Sequence, residues 1–140
     1  MSIRRWLVWM LRVSGVTMLF ALVFVVCRFR WVTAIHGRLG MGELAYTPLL
    51  SYLIRTLSAL YASMGAILLF VSRDVERYRS LIQFLGWIGI VGGVGVTVLD
   101  AVLHLPLFWT ATEGPLTVAL GLVLIALAAK MPVGGETRGT

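Results

Sequence analysis

The sequence predicts an all-α fold, a four-helix transmembrane bundle, and three observations predict it. Of 140 residues, 59% are hydrophobic and 13% charged, against a globular norm of roughly 45–50% and 25%. The mean hydropathy is +0.94. The apolar residues gather in four long runs separated by polar turns. Other classes are excluded on the same grounds. A disordered chain needs low hydrophobicity and high charge, a disulfide scaffold needs several cysteines, and a collagen needs glycine at every third position. This chain has one Cys and 15 Gly without period.

A helix rises 1.5 Å per residue and needs about 20 residues to cross roughly 30 Å of hydrocarbon. Four runs meet or approach that length, at residues 6–27, 48–72, 81–105 and 115–131. The first follows Arg4 and Arg5 and invites comparison with a signal peptide. No small-x-small cleavage site follows it, and Val26 is wrong before Cys27 for a lipoprotein site, so it reads as a retained anchor. Residues 28–47 are too polar and glycine-rich to cross again. Trp31, Val32, Ala34, Ile35 and Leu39 give them enough apolar character to lie along the outer interface in one or two helical turns. Thr47 before Pro48 is a good helix start, because proline at the first helical position loses no intrahelical bond. The fourth run is the shortest, with Lys130 placed to reach the headgroups. Residues 132–140 read as a flexible tail. The single four-span domain is therefore 1–131.

Lys and Arg in short flanks favour the cytoplasmic side. Arg4, Arg5, Arg73, Arg77, Arg79, Lys130 and Arg138 gather on one side, against Arg28, Arg30 and Arg38 on the other. Both termini are expected to be cytoplasmic. The formal charge of +6 then matches an anionic lipid surface and calls for no nucleic acid.

The second and third runs are joined by a polar turn and form an antiparallel hairpin, in which residues of equal depth have position numbers of constant sum. Ala66 with Gly89, Ala62 with Gly93, Ala59 with Val96, and Arg55 with Asp100 satisfy that condition. Small side chains permit the close backbone approach on which helix association in lipid relies. The register predicts that Arg55 and Asp100 lie side by side as an ion pair. The energetic reason is that either charge alone costs roughly 2.5–3.5 kcal/mol at the centre of an inserted helix.

His104, one turn beyond Asp100, and Glu113, just before the fourth helix, join that pair in the outer layer, with Tyr52 and Trp109 as walls. The candidate ligand-binding or structural residues are thus Tyr52, Arg55, Asp100, His104, Trp109 and Glu113. Arg55 and His104 suit the polar head of a lipid, quinone or other amphiphile. Asp100 and His104 at i,i+4, with Glu113 or His36, would be weak candidates for a divalent metal, since no dense ligand motif is present. Catalytic residues are not identified, and no cofactor is specified. Cys27 is the only thiol and excludes a redox couple. Gly86, Gly89, Gly92, Gly93 and Gly95 follow no strand and read as a packing surface, with Gly86 and Gly95 open to a second copy or a partner protein.

From residue 50 to 115 the order of motifs resembles small four-helix membrane proteins known chiefly from planctomycete bacteria. It comprises Ile54-Arg55, Ala59-Leu60-Tyr61, Gly65, Ser72-Arg73-Asp74-Val75, Asp100, Pro106-Leu107-Phe108-Trp109 and Glu113-Gly114-Pro115. More distantly it is similar to DoxX-like families. The resemblance covers about half the chain and implies four spans in a bacterial inner membrane, with no activity to carry over. The function expected is that of a non-enzymatic multi-pass membrane component, an accessory subunit or amphiphile-binding protein with a polar pocket in the outer leaflet. The alternative is a membrane oxidoreductase or metal-dependent enzyme subunit using the same pocket. Its partners are then the lipid bilayer and a membrane protein or second copy.

Overall fold

The computed structural model describes residues 2–131, in which all regular structure is helical. The elements are α1 (Ile3–Leu19), α2 (Leu22–Val26), α3 (Phe29–Arg38), α4 (Pro48–Val71), α5 (Arg79–Val102) and α6 (Leu107–Ala129). Four stretches are long and apolar enough to cross a membrane: Ile3–Val26, which joins α1 and α2, then α4, α5 and α6. The tail expected at 132–140 lies outside the described residues. By its internal contacts the chain divides into two compact units, one of Met1–Leu11 with Val71–Thr140 and one of Arg12–Phe70.

The first unit is organised by the α5–α6 hairpin. Gly86 and Gly93 lie on one face of α5, seven residues and two turns apart. Gly121 and Gly114 answer them on α6 in antiparallel order. A Cβ on Gly121 would lie 2.6 Å from the Gly86 carbonyl oxygen, and one on Gly114 2.6 Å from that of Gly93. The two backbones therefore touch, and only glycine permits it. Gly89 faces the same way, 3.7 Å from the Gly121 Cα when given a Cβ. Gly89 and Gly93, which the sequence assigns to a hairpin with the second run, both face α6. At the other end of the unit Leu7, Leu11, Val71, Val75, Ile82 and Ala128 form a buried apolar core. Asp74 Oδ1 accepts from the Arg77 amide at 3.1 Å and closes the turn before α5. Arg4 pairs with Glu76 at 3.3 Å. Arg79 donates to the Ala129 carbonyl at 2.8 Å, satisfying an acceptor at the end of α6.

α6 corrects the sequence reading most. Its start was placed at Pro115, yet it begins at Leu107 behind Pro106 and carries Pro115 within it. An internal proline forfeits one amide donor and crowds the carbonyl four residues back, a disturbance that membrane helices tolerate. Around it, Thr112 donates to the Phe108 carbonyl at 2.7 Å and Thr117 to that of Glu113 at 2.8 Å. The third run ends at Val102 instead of 105, and Pro106 keeps Leu105 out of helical geometry.

The second unit holds the later part of α1, then α2, α3 and most of α4. Gly15 and Gly65 meet as the α6 glycines do: a Cβ on Gly65 would lie 2.6 Å from the Gly15 oxygen. The first run is interrupted at Phe20–Ala21. Ala21 bonds back to Met18 at 3.1 Å and Phe24 to Ala21 at 3.0 Å, the tighter three-residue spacing of a 3₁₀ turn. Cys27 and Arg28 are extended and separate α2 from α3. α3 has ten residues, longer than the one or two turns expected. Thr47 caps α4, its hydroxyl accepting from the Leu50 amide at 3.1 Å.

Candidate functional site

In the first unit the glycine contact brings the last turn of α5 against the first two turns of α6, and with them Asp100, Trp109 and Glu113. Asp100 is 4% exposed, and its Oδ2 has no hydrogen-bond partner among the described residues. Thr97, the nearest hydroxyl along the helix, is committed elsewhere: its single proton goes to the Gly93 carbonyl at 2.7 Å. Glu113 is half-buried and lies one turn beyond Trp109 on the same face of α6. Phe108 meets Trp109 edge to face, ring centres 6.3 Å apart. Glu113 stands inside α6, not ahead of the fourth helix as the sequence suggested. The result is two carboxyl groups at one end of the α5–α6 hairpin, one of them buried with an unanswered oxygen.

His104 does not join them by the helical spacing expected. An i,i+4 relation to Asp100 needs the helix to continue through 104, and α5 stops at Val102. His104 is exposed, with φ of +54°. Its amide bonds the Ala101 carbonyl at 3.2 Å, and the Leu105 amide that of Asp100 at 3.0 Å. This is a Schellman cap, in which the left-handed position is usually glycine. α3 ends in the same motif with the usual residue: Gly40 has φ of +73°, and the Met41 amide bonds the His36 carbonyl at 3.3 Å. A left-handed side-chain-bearing residue costs on the order of 1–3 kcal/mol, partly offset by the greater freedom of glycine when unfolded. His104→Gly is therefore expected to stabilise the protein by about 0.5–1 kcal/mol, read as an upward shift of the thermal midpoint in detergent.

Arg55 and Tyr52 belong to the second unit. The Arg55 guanidinium donates through Nη1 to the Val25 carbonyl and through Nη2 to that of Cys27 at 3.2 Å. These acceptors lie at the end of α2, where the helix leaves carbonyls unpaired and its dipole favours a cation. The sequence made Asp100 the partner of Arg55. Within its own unit Arg55 instead answers main-chain oxygens, and the Asp100 Oδ2 accepts from no described residue. Tyr52 is exposed. His36, the other metal candidate, also lies in the second unit, its Nδ1 at 3.1 Å from the Gly42 carbonyl. Among the described residues no three His, Cys, Asp or Glu side chains gather to hold a metal ion.

Sequence reasoning missed the packing role of Gly114, Gly121, Gly15 and Gly65, and the role of the Val25 and Cys27 carbonyls. One signal was present: Gly86 and Gly93 on the third run are seven apart, and so are Gly114 and Gly121 on the fourth. No protein-family model matches the chain, and no curated protein or solved structure is similar to it.

Proposed function

We propose that this chain is a non-enzymatic multi-pass protein of a bacterial inner membrane that receives the cationic head of an amphiphile at Asp100 and Glu113. The observation that carries this reading is the buried, unanswered oxygen of Asp100, at the end of the α5–α6 hairpin that also bears Glu113. A buried carboxylate without a hydrogen-bond partner is poorly solvated, and a second carboxylate at the same end of the hairpin adds repulsion. A primary or quaternary ammonium relieves both penalties, and an acyl chain alongside the helices suits its surroundings. The basic flanks support cytoplasmic termini, which put the α5–α6 connection and this site in the outer leaflet. The resemblance to planctomycete four-helix proteins and to DoxX-like families supports the bacterial setting.

The test is extraction of small molecules retained by the protein after purification in mild detergent, compared with Asp100→Asn. An amine-headed amphiphile held by the wild type and reduced at least tenfold in the variant is the expected result, a loss of about 1.4 kcal/mol or more in binding. Equal retention by both proteins refutes it. A copurifying polypeptide would select the accessory-subunit reading, and a metal or a visible absorption band the enzymatic one.

A further inference from the structure

We infer that α3 is a docking surface for anionic phospholipid, engaging headgroups through Arg28, Arg30 and Arg38 with Trp31 as its anchor. One side of α3 is already tied down within its own unit. Phe29 meets Tyr46 edge to face at 5.1 Å, and His36 reaches the Gly42 carbonyl, while Val32 and Thr33 are half-buried. Gly40 reverses the chain behind the helix. The other side has no cover. Trp31 is 63% exposed, and Arg30, Ile35 and Arg38 are exposed with it.

The chemistry of that uncovered side selects its occupant. Trp31, Ile35 and Arg38 follow one another at steps of four and three, so an indole, an aliphatic chain and a guanidinium share one stripe. Arg30 flanks the stripe and Arg28 precedes the helix at its cap. Between residues 28 and 47 there are three arginines and one acidic residue, Glu43. A basic helix with an aromatic anchor is suited to the interface of an anionic bilayer, where each arginine strengthens binding by about fivefold at low salt. The two extended residues after α2 put this helix directly beyond the end of a membrane-length segment in the chain, where a spanning helix meets the headgroups. The α3 surface involves neither Asp100 nor Glu113.

The experiment uses the full chain in phosphatidylcholine vesicles doped with brominated phosphatidylglycerol or, at the same mole fraction, brominated phosphatidylcholine. The Trp31 signal is the fluorescence of wild type minus that of Trp31→Phe. Quenching several times stronger by the anionic lipid is expected, with the preference lost in Arg28→Gln/Arg30→Gln/Arg38→Gln and in wild type at 1 M salt, where the screening length falls to about 3 Å. Equal quenching by the two lipids overturns the inference. So does an unquenched Trp31, which would mean that α3 is covered by protein. The other four tryptophans report separately on insertion: quenching of these alone leaves the membrane reading intact while the α3 inference fails.

Discussion

Gly114→Val is expected to destabilise the α5–α6 hairpin by about 3 kcal/mol, and Gly114→Ala by about 2 kcal/mol, the upper part of the range for an overpacked interior. The reason is specific to this contact. The first added carbon would fall 2.6 Å from the Gly93 oxygen and 2.9 Å from the Thr97 nitrogen, both main-chain atoms that no rotamer change can move. Relief requires the two helices to separate along their whole shared seam, which also loosens the Gly86–Gly121 contact. Gly92→Ala is the control. A Cβ there meets nothing within 4 Å, and alanine in place of glycine favours a helix by about 1 kcal/mol. Unfolding in mixed detergent micelles should therefore move in opposite directions for the two alanine variants. Equal shifts would show that backbone contact is not what holds the hairpin.

Arg55→Met should cost about 3 kcal/mol, from two hydrogen bonds to a charged donor at about 1.5 kcal/mol each. It should act locally: the turn from Val23 to Cys27 would lose the group that covers its carbonyl end, and amide exchange there should rise while α4 around Gly65 is unaffected. Arg55→Lys is expected to recover only part of the loss, because one ammonium lacks the planar fork that reaches both carbonyls. If methionine is tolerated without faster exchange at 23–27, the guanidinium is not a cap. The outcome also bears on how an arginine is tolerated in an apolar segment, since here its charge is answered by peptide dipoles.

The architecture was legible in the sequence because it depends on long-range averages. Twenty apolar residues in succession have few ways to satisfy their backbone except as a helix. Ends and partners depend on single contacts and were harder to read. Pro115 looked like a helix start since proline is favoured there, yet a membrane helix can carry it inside, and Pro106 supplies the true boundary. Small residues on the third run mark a close-packed face, and Gly86, Gly89 and Gly93 meet α6 there. A constant-sum register fits any antiparallel pair whose small residues share a spacing, and α6 shares it too. Asp100 and Glu113 stand out in the sequence as charges in apolar runs, and the α5–α6 hairpin carries both at one end. His104 was misplaced because a helical spacing was extended past the cap where the helix had ended.

The seven-residue repeat of touching glycines makes α5 and α6 a ratchet with widely separated teeth. A slip of one residue would turn the small face of one helix away by about 100° and drive a branched side chain into the groove. The next permitted setting lies two turns further on, about 10 Å along the axis. Piston motion between these helices is therefore barred, and any signal carried from the His104 connection to the opposite end must travel as a tilt or rotation of the hairpin as one body.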